Sequence, residues 1–247
     1  MRTMICKKED VFRGPVILVN QTHPLRPGSE PQLTAADDRC PGIRMERRAA
    51  GLLAACVSAV GGRDEIVPVS GWRSQKEQQE IWDSSLEENG EEFTRSYVAL
   101  PGCSEHQSGL AIDLGRAAKH IDFIRPAFPY DGVCGAFRRV AAGYGFVERY
   151  QKGKEEITGI AAEPWHFRYV GVPHARLMEE NGLCLEEYVP FLRQGPRLCR
   201  LADGRAAQVF YVPCAGEETV LELPEGCCQV SGDNEGGFVV TLWRWRP

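Results

Sequence analysis

PGCSEHQSGLAIDL, residues Pro101–Leu114, decides the fold because it runs from a turn into a strand and carries His106 and Asp113 across that joint. Pro101-Gly102 marks the turn. GLAIDLG (Gly109–Gly115) is apolar apart from Asp113 and is bounded by glycines, so it reads as a central strand. An aspartate inside such a strand is anomalous. His106 stands seven residues before it, and imidazole nitrogen and carboxylate oxygen are both good zinc ligands.

Upstream, PVILVN (Pro15–Asn20) is a strand candidate, and the Pro/Gly-rich stretch from His23 to Pro31 should be an ordered loop. Apolar and small residues recur at helical spacing from Ile43 to Val60, where Gly61-Gly62 ends the run. IVPVSGW then enters a turn at Ser70-Gly71, and Ser74-Gln75-Lys76-Glu77 forms an S-x-x-E capping box that starts a helix over about Gln75–Asn89. Downstream, the pattern predicts a helix over Cys134–Tyr144 that stops at Gly145, a strand over Trp165–Val170, and helices over His174–Asn181 and Leu185–Gln194. Beyond Arg197 the helical pattern gives way to AQVFYV, TVLEL and FVVTLWRW separated by turn signals. The expected organisation is therefore an α+β domain over 1–196 with a small β-rich appendage over 197–247. That appendage could pack on the main domain, mediate homodimer contacts or bind another molecule.

Composition narrows the partners. The 247 residues are 43% hydrophobic and 26% charged, which suits a globular protein, and the formal charge of −5 lacks the basic balance that binds a phosphate backbone. Nucleic acid is excluded as a partner on that ground. The longest weakly polar stretch, Ala49–Val60, falls short of the roughly 18–20 residues a membrane span needs, so no membrane insertion is expected. MRTMICKKEDVFR at the start never supplies the apolar run of about 7–15 residues of a secretion signal. Ten cysteines show no CxxC pair and no repeated spacing, which fits a reducing compartment. A cytoplasmic address is expected, with Met1 taken as the native start.

Two further segments carry chemistry. EPWHFRYVG (Glu163–Gly171) holds Glu163 and His166 beside Pro164, and SGWRS (Ser70–Ser74) puts Arg73 just before a helix cap. Together the three segments supply His106, Asp113 and His166 as zinc ligands and leave a position open for water, as catalytic rather than structural zinc requires. Hydrolysis of an amide also needs a group that takes a proton and returns it to the leaving amine, and Glu163 is the carboxylate available. Arg73, protonated at any relevant pH, suits the oxyanion that develops on the carbonyl.

Strand parity imposes a condition. In an unbroken strand, residues 163 and 166 point to opposite faces and cannot share a site. Pro164 lacks an N–H and interrupts the ladder, so a bend there should bring Glu163 to the face of His166. Past the bend, Trp165, Phe167 and Tyr169 should share one face, and His166 and Arg168 the other. His23, His120 and His174 are each read as structural, the cysteines as small buried apolar residues, and Gln78, from pattern alone, as an exposed helix residue.

SGWRSQKEQ, PGCSEHQSGLAIDL and EPWHFRYVG closely resemble the VanY and VanXY group of zinc D-alanyl-D-alanine peptidases, and the resemblance runs from about Glu9 to Leu192. It implies a Hedgehog/DD-peptidase-like small antiparallel sheet flanked by helices. It also implies zinc as cofactor on His106, Asp113 and His166, Glu163 as base and Arg73 as transition-state stabiliser. Ser104 and Gln78 are implied to hold the substrate, with Trp165 beside His166 as a further contact. That substrate is a dipeptide or longer peptide ending in D-Ala-D-Ala. Trp72 stands where the group often has tyrosine, which keeps the aromatic wall and loses a phenolic O–H. Two other readings compete: an endolysin-like L-Ala-D-Glu peptidase, and a catalytically silent zinc module, against which Glu163 and Arg73 argue.

Overall fold

The computed structural model describes residues 2–26 and 30–245. In chain order its elements are β1 (Arg2–Lys7), β2 (Leu33–Ala35), β3 (Arg44–Glu46), α1 (Arg47–Ala59), β4 (Ile66–Ser70), α2 (Gln75–Tyr97), β5 (Ala111–Arg116), α3 (Gly132–Ala141), β6 (Phe146–Tyr150) and α4 (Glu155–Thr158). There follow β7 (Glu163–Tyr169), α5 (Val172–Asn181), α6 (Leu185–Arg193), β8 (Arg197–Arg200), β9 (Arg205–Pro213), β10 (Glu218–Leu223), β11 (Cys228–Gly232) and β12 (Gly237–Trp245). Among the described residues no helix is long and apolar enough to cross a membrane.

Two compact units result, Val19–Ala175 and a second formed by Met1–Leu18 with Arg176–Pro247. The first is organised on a four-stranded antiparallel sheet in the order β4-β5-β7-β6. Ile112 and Leu114 of β5 and Trp165, Phe167 and Tyr169 of β7 join Leu53 and Cys56 of α1 and Phe137 of α3 in one buried core. The expected strand over GLAIDLG is thus β5, and the aromatic face of the Trp165–Val170 segment is the core face of β7. Phe128, Phe137 and Phe167 meet edge to face at 5.0–5.8 Å, an arrangement that adds to their area burial.

The capping box at α2 forms as its sequence predicts, with the Glu77 N–H donating to Ser74 Oγ (3.2 Å) and the Ser74 N–H to Glu77 Oε2 (2.7 Å). Helical geometry breaks at Gly90, where φ is 82°, one residue past the expected end at Asn89. A second helical segment then runs on to Tyr97, tied back by a buried Ser85–Thr94 hydroxyl pair at 2.8 Å.

Three expectations are corrected. The helix expected from Ile43 starts only at Arg47, because Glu46 accepts the Ala49 N–H (3.0 Å) as its cap while Arg44–Glu46 pairs with β2. Val16–Val19 are buried, but Pro15–Asn20 forms no strand. Its backbone is satisfied elsewhere: the Val16 N–H donates to Ser231 Oγ (2.9 Å), the Leu18 N–H to the Asp233 carbonyl (3.0 Å), and Asn234 Nδ2 to the Leu18 carbonyl (2.8 Å). The β-rich region, lastly, is not a self-contained appendage over 197–247. β1 pairs along its whole length with β10, and Cys6 and Val11 share a core with Leu221, Leu223, Phe238, Val240 and Leu242. Both chain ends are needed to close that core, so the boundary expected at 197 does not hold.

Candidate active site

Register places the first two residues. Asp113 on β5 stands opposite His166 on β7, and cross-strand partners project to the same face, so the aspartate that is anomalous in an apolar strand points at a histidine. His106 arrives on a single 3-10 turn, Glu105–Ser108, that ends at Gly109 with φ 72°. That left-handed residue turns the chain into β5, a conformation that favours glycine, and a Cβ there would make a tight 3.1 Å contact with the Pro31 side chain. The Gly71 carbonyl can only accept, so His106 Nδ1 donates to it (2.7 Å) and Nε2 is left facing Asp113 Oδ2 at 3.2 Å. A Cβ on Gly71 would come within 2.3 Å of the Arg44 carbonyl, which explains the glycine in SGWRS. His166 Nδ1 lies 2.9 Å from Asp113 Oδ1. Ligand atoms of the three buried residues all fall within 4.8 Å of one another.

The bend expected at Pro164 is present. β6 and β7 pair Glu148 with Phe167 and Tyr150 with Glu163, so between these pairs Arg149 alone faces Pro164, Trp165 and His166. Arg138 from α3 pins this bulge by donating to the Pro164 carbonyl (2.5 Å) and the Phe128 carbonyl (2.6 Å) while pairing with Glu148, whose Oε1 accepts the Tyr130 hydroxyl (2.7 Å). Glu163 Oε2 is thereby 3.7 Å from His166 Nδ1, and Arg73 Nη2 is 4.0 Å from Asp113 Oδ2.

Burial dominates the electrostatics. It lowers the His106 pKa to about 4, with Arg73 adding to the effect, so His106 is neutral and ready to ligate. Desolvation opposes the Asp113 charge, yet His106 and His166 beside it hold its carboxyl well below the usual range. For His166 burial pulls downward, but hydrogen bonds to Asp113 and Glu105 raise it to about 9. Burial pushes Glu163 up to about 8, helped by Asp113 and opposed by His166 and Arg73.

The Glu163 shift has a measurable cost. From its ordinary value of 4.5 up to about 8, the folded chain keeps a proton that the unfolded chain releases, so stability falls as pH rises through that window. In chelator-stripped protein, Glu163→Gln should raise Tm at pH 8 by several degrees, at about 2–4 °C per kcal/mol for a chain this long. The gain should vanish below pH 4.5, and equal Tm values for variant and parent at pH 8 would show that the carboxylate is not destabilised.

Ser104, Gln78 and Trp165 line the same cleft as His106, Asp113, His166, Glu163 and Arg73, together with Tyr97 and Tyr150. Gln78 is buried, not the exposed helix residue its position in the pattern suggests. Its Nε2 donates to the Ala99 carbonyl (2.8 Å), while its Oε1 and Arg73 Nε are buried without a protein partner. The Trp72 ring lies 5.0 Å from the Arg44 guanidinium, so the indole serves as a packing wall. Glu105, Tyr150 and the Gly71 carbonyl escape a reading of sequence alone. Glu105 sits in plain view beside His106, but its partners Arg149 and Arg168 lie 44 and 63 residues away.

Two imidazoles and a carboxylate with a nearby acid and guanidinium are set on a small antiparallel sheet, the arrangement that the resemblance to the Hedgehog/DD-peptidase-like metallopeptidases implies. The VanY family profile, described as D-alanyl-D-alanine carboxypeptidase, matches residues 43–172, more than half of the chain. A curated relative, the bifunctional D-Ala-D-Ala dipeptidase and D-Ala-D-Ala carboxypeptidase VanXYC of Enterococcus gallinarum, is 42% identical over 182 residues, 73% of this chain and 96% of that protein. Among solved structures, the vancomycin-resistance D,D-dipeptidase VanXYg in complex with a D-Ala-D-Ala phosphinate analogue matches with a TM-score of 0.95 at 50% identity, covering 98% of this chain and 99% of that one. A mutant of the D,D-pentapeptidase VanY in complex with Zn(II) matches at 0.59 with 31% identity, covering 71% and 98%. The chain belongs to the VanY family.

Proposed function

We propose that this protein is a zinc D,D-peptidase that hydrolyses the D-Ala-D-Ala bond of peptidoglycan precursors, acting as carboxypeptidase and as dipeptidase. The observation that carries this reading is the buried His106–Asp113–His166 cluster with Glu163 and Arg73 in one cleft. The donor set fits zinc: two imidazole nitrogens and a carboxylate oxygen, with no thiolate. When bound, zinc supplies Lewis acidity to the scissile carbonyl and to water. Glu163 Oε2 takes the proton of the attacking water and returns it to the leaving amine nitrogen, a role suited to a carboxyl shifted upward by burial. Arg73 offers its guanidinium to the oxyanion, already aligned by Asp113. Ser104 and Gln78 hold the peptide against the Trp165 wall, and the partnerless Gln78 Oε1 is an acceptor for a substrate N–H. The proposal includes a cytoplasmic address, on soluble precursors, consistent with cysteines that lack paired spacing.

Incubating zinc-loaded protein with D-Ala-D-Ala, a pentapeptide ending in D-Ala-D-Ala and its D-Ala-D-lactate analogue tests this reading. D-alanine should be released from the first two. The ester should be cleaved far less efficiently, because its oxygen cannot donate the N–H that a site built for the amide accepts. Failure to cleave both amide substrates would overturn the proposal.

A further inference from the structure

Beside the His106–Asp113–His166 cluster lies a second layer of charge that the proposed reaction does not use. Glu105 is buried with no side-chain exposure, as are Arg149 and Arg168. Its Oε1 accepts from Arg149 Nε (2.7 Å) and from Arg168 Nη1 (2.8 Å), and its Oε2 lies 3.4 Å from His166 Nε2. Burying a carboxylate between two guanidiniums is costly, and apolar side chains of similar volume would often serve the fold as well. The arrangement therefore calls for a reason beyond packing.

Its geometry supplies one. A carboxylate between two arginines is ionised and can only accept, so the His166 nitrogen that faces it must carry a proton. The other ring nitrogen, Nδ1, lies 2.9 Å from Asp113 Oδ1 inside the cluster, so a metal that takes Nδ1 would displace only the proton shared with Asp113 and leave the Nε2–H on Glu105. The two arginines occupy Oε1 and so turn Oε2 toward the ring. We propose that Glu105 is a positioning residue for the metal: it locks His166 in the Nε2–H tautomer and orientation that present Nδ1 as ligand, and Arg149 and Arg168 hold Glu105 in place to do so. This rests on the reading of His166 as a zinc ligand. Carboxylates placed behind ligating histidines act in this way in metal sites generally, and their loss typically lowers metal affinity about 10–100-fold.

Zinc affinity, measured by competition with a chromophoric chelator, tests the inference without reference to turnover. Glu105→Gln should bind zinc about 10–100-fold more weakly than the parent. That variant also leaves an extra uncompensated positive charge near the metal, so it is paired with a Glu105→Gln/Arg168→Met double variant, which restores the local charge of the parent. If Glu105 acts through the His166 ring, the double variant stays weak. Parent-like affinity in Glu105→Gln, or recovery in the double variant, would overturn the positioning role while leaving the ligand assignment intact. Should the variants not fold, the parent protein still answers: with 15N-labelled histidine and zinc bound, the His166 ring should carry its proton on Nε2, and a proton on Nδ1 would overturn the inference. A parent protein that takes up no zinc overturns the ligand assignment and this inference with it.

Discussion

Glu163→Ala is expected to slow D-alanine release by about 10²–10⁴-fold, the usual worth of a positioned general acid–base group, while zinc content stays at the parent's level. The distances separate the two effects. Glu163 Oε2 approaches His166 Nδ1 at 3.7 Å, near the cluster but outside the three residues whose ligand atoms converge. On the proposed reading, removing it deletes the proton carrier and leaves His106, Asp113 and His166 in place. On the proposed reading, in which the Arg73 guanidinium, 4.0 Å from Asp113 Oδ2, serves the oxyanion, Arg73→Ala should lose a comparable factor of about 10²–10³, again with metal retained. Parent-like rates in the Glu163 variant, measured as D-alanine released under saturating zinc, would remove Glu163 from the mechanism.

His106→Ala should lose metal and turnover together. His106 is fixed by its Nδ1–H bond to the Gly71 carbonyl, which leaves Nε2 as a preset ligand at no rotational cost. The variant keeps two ligand side chains, too few for a catalytic zinc site, which ordinarily has three from the protein. Metal analysis after dialysis should find well below one zinc per chain, and activity at limiting zinc should fall at least as far as in the Glu163 variant. Full zinc content in His106→Ala would place the metal elsewhere.

Most of the candidate site was legible in the sequence because each part is local. His106 and Asp113 sit on one turn-and-strand segment, and Pro164 announces the bulge that brings Glu163 to the face of His166. The capping box of α2 is likewise a four-residue signal. What escaped is nonlocal. Glu105 gains its meaning only from Arg149 on β6 and Arg168 on β7, and Arg138 reaches the Pro164 carbonyl from a separate helix. β1 is unreadable for the same reason: RTMICK, flanked by charge, has no strand partner until β10 arrives from the far end of the chain. Pro15–Asn20 misled because its apolar run reflects burial alone, its backbone being satisfied by side chains and a turn around residues 231–234.

The central claim is that His106, Asp113 and His166 hold a zinc ion. Diffraction from crystals grown with zinc, recorded on both sides of the zinc absorption edge, tests it directly. The account predicts one strong anomalous peak at bonding distance, about 2.0–2.2 Å, from His106 Nε2, His166 Nδ1 and an Asp113 oxygen. A peak among the cysteines, or none between these three residues in crystals that hold zinc elsewhere, would contradict it.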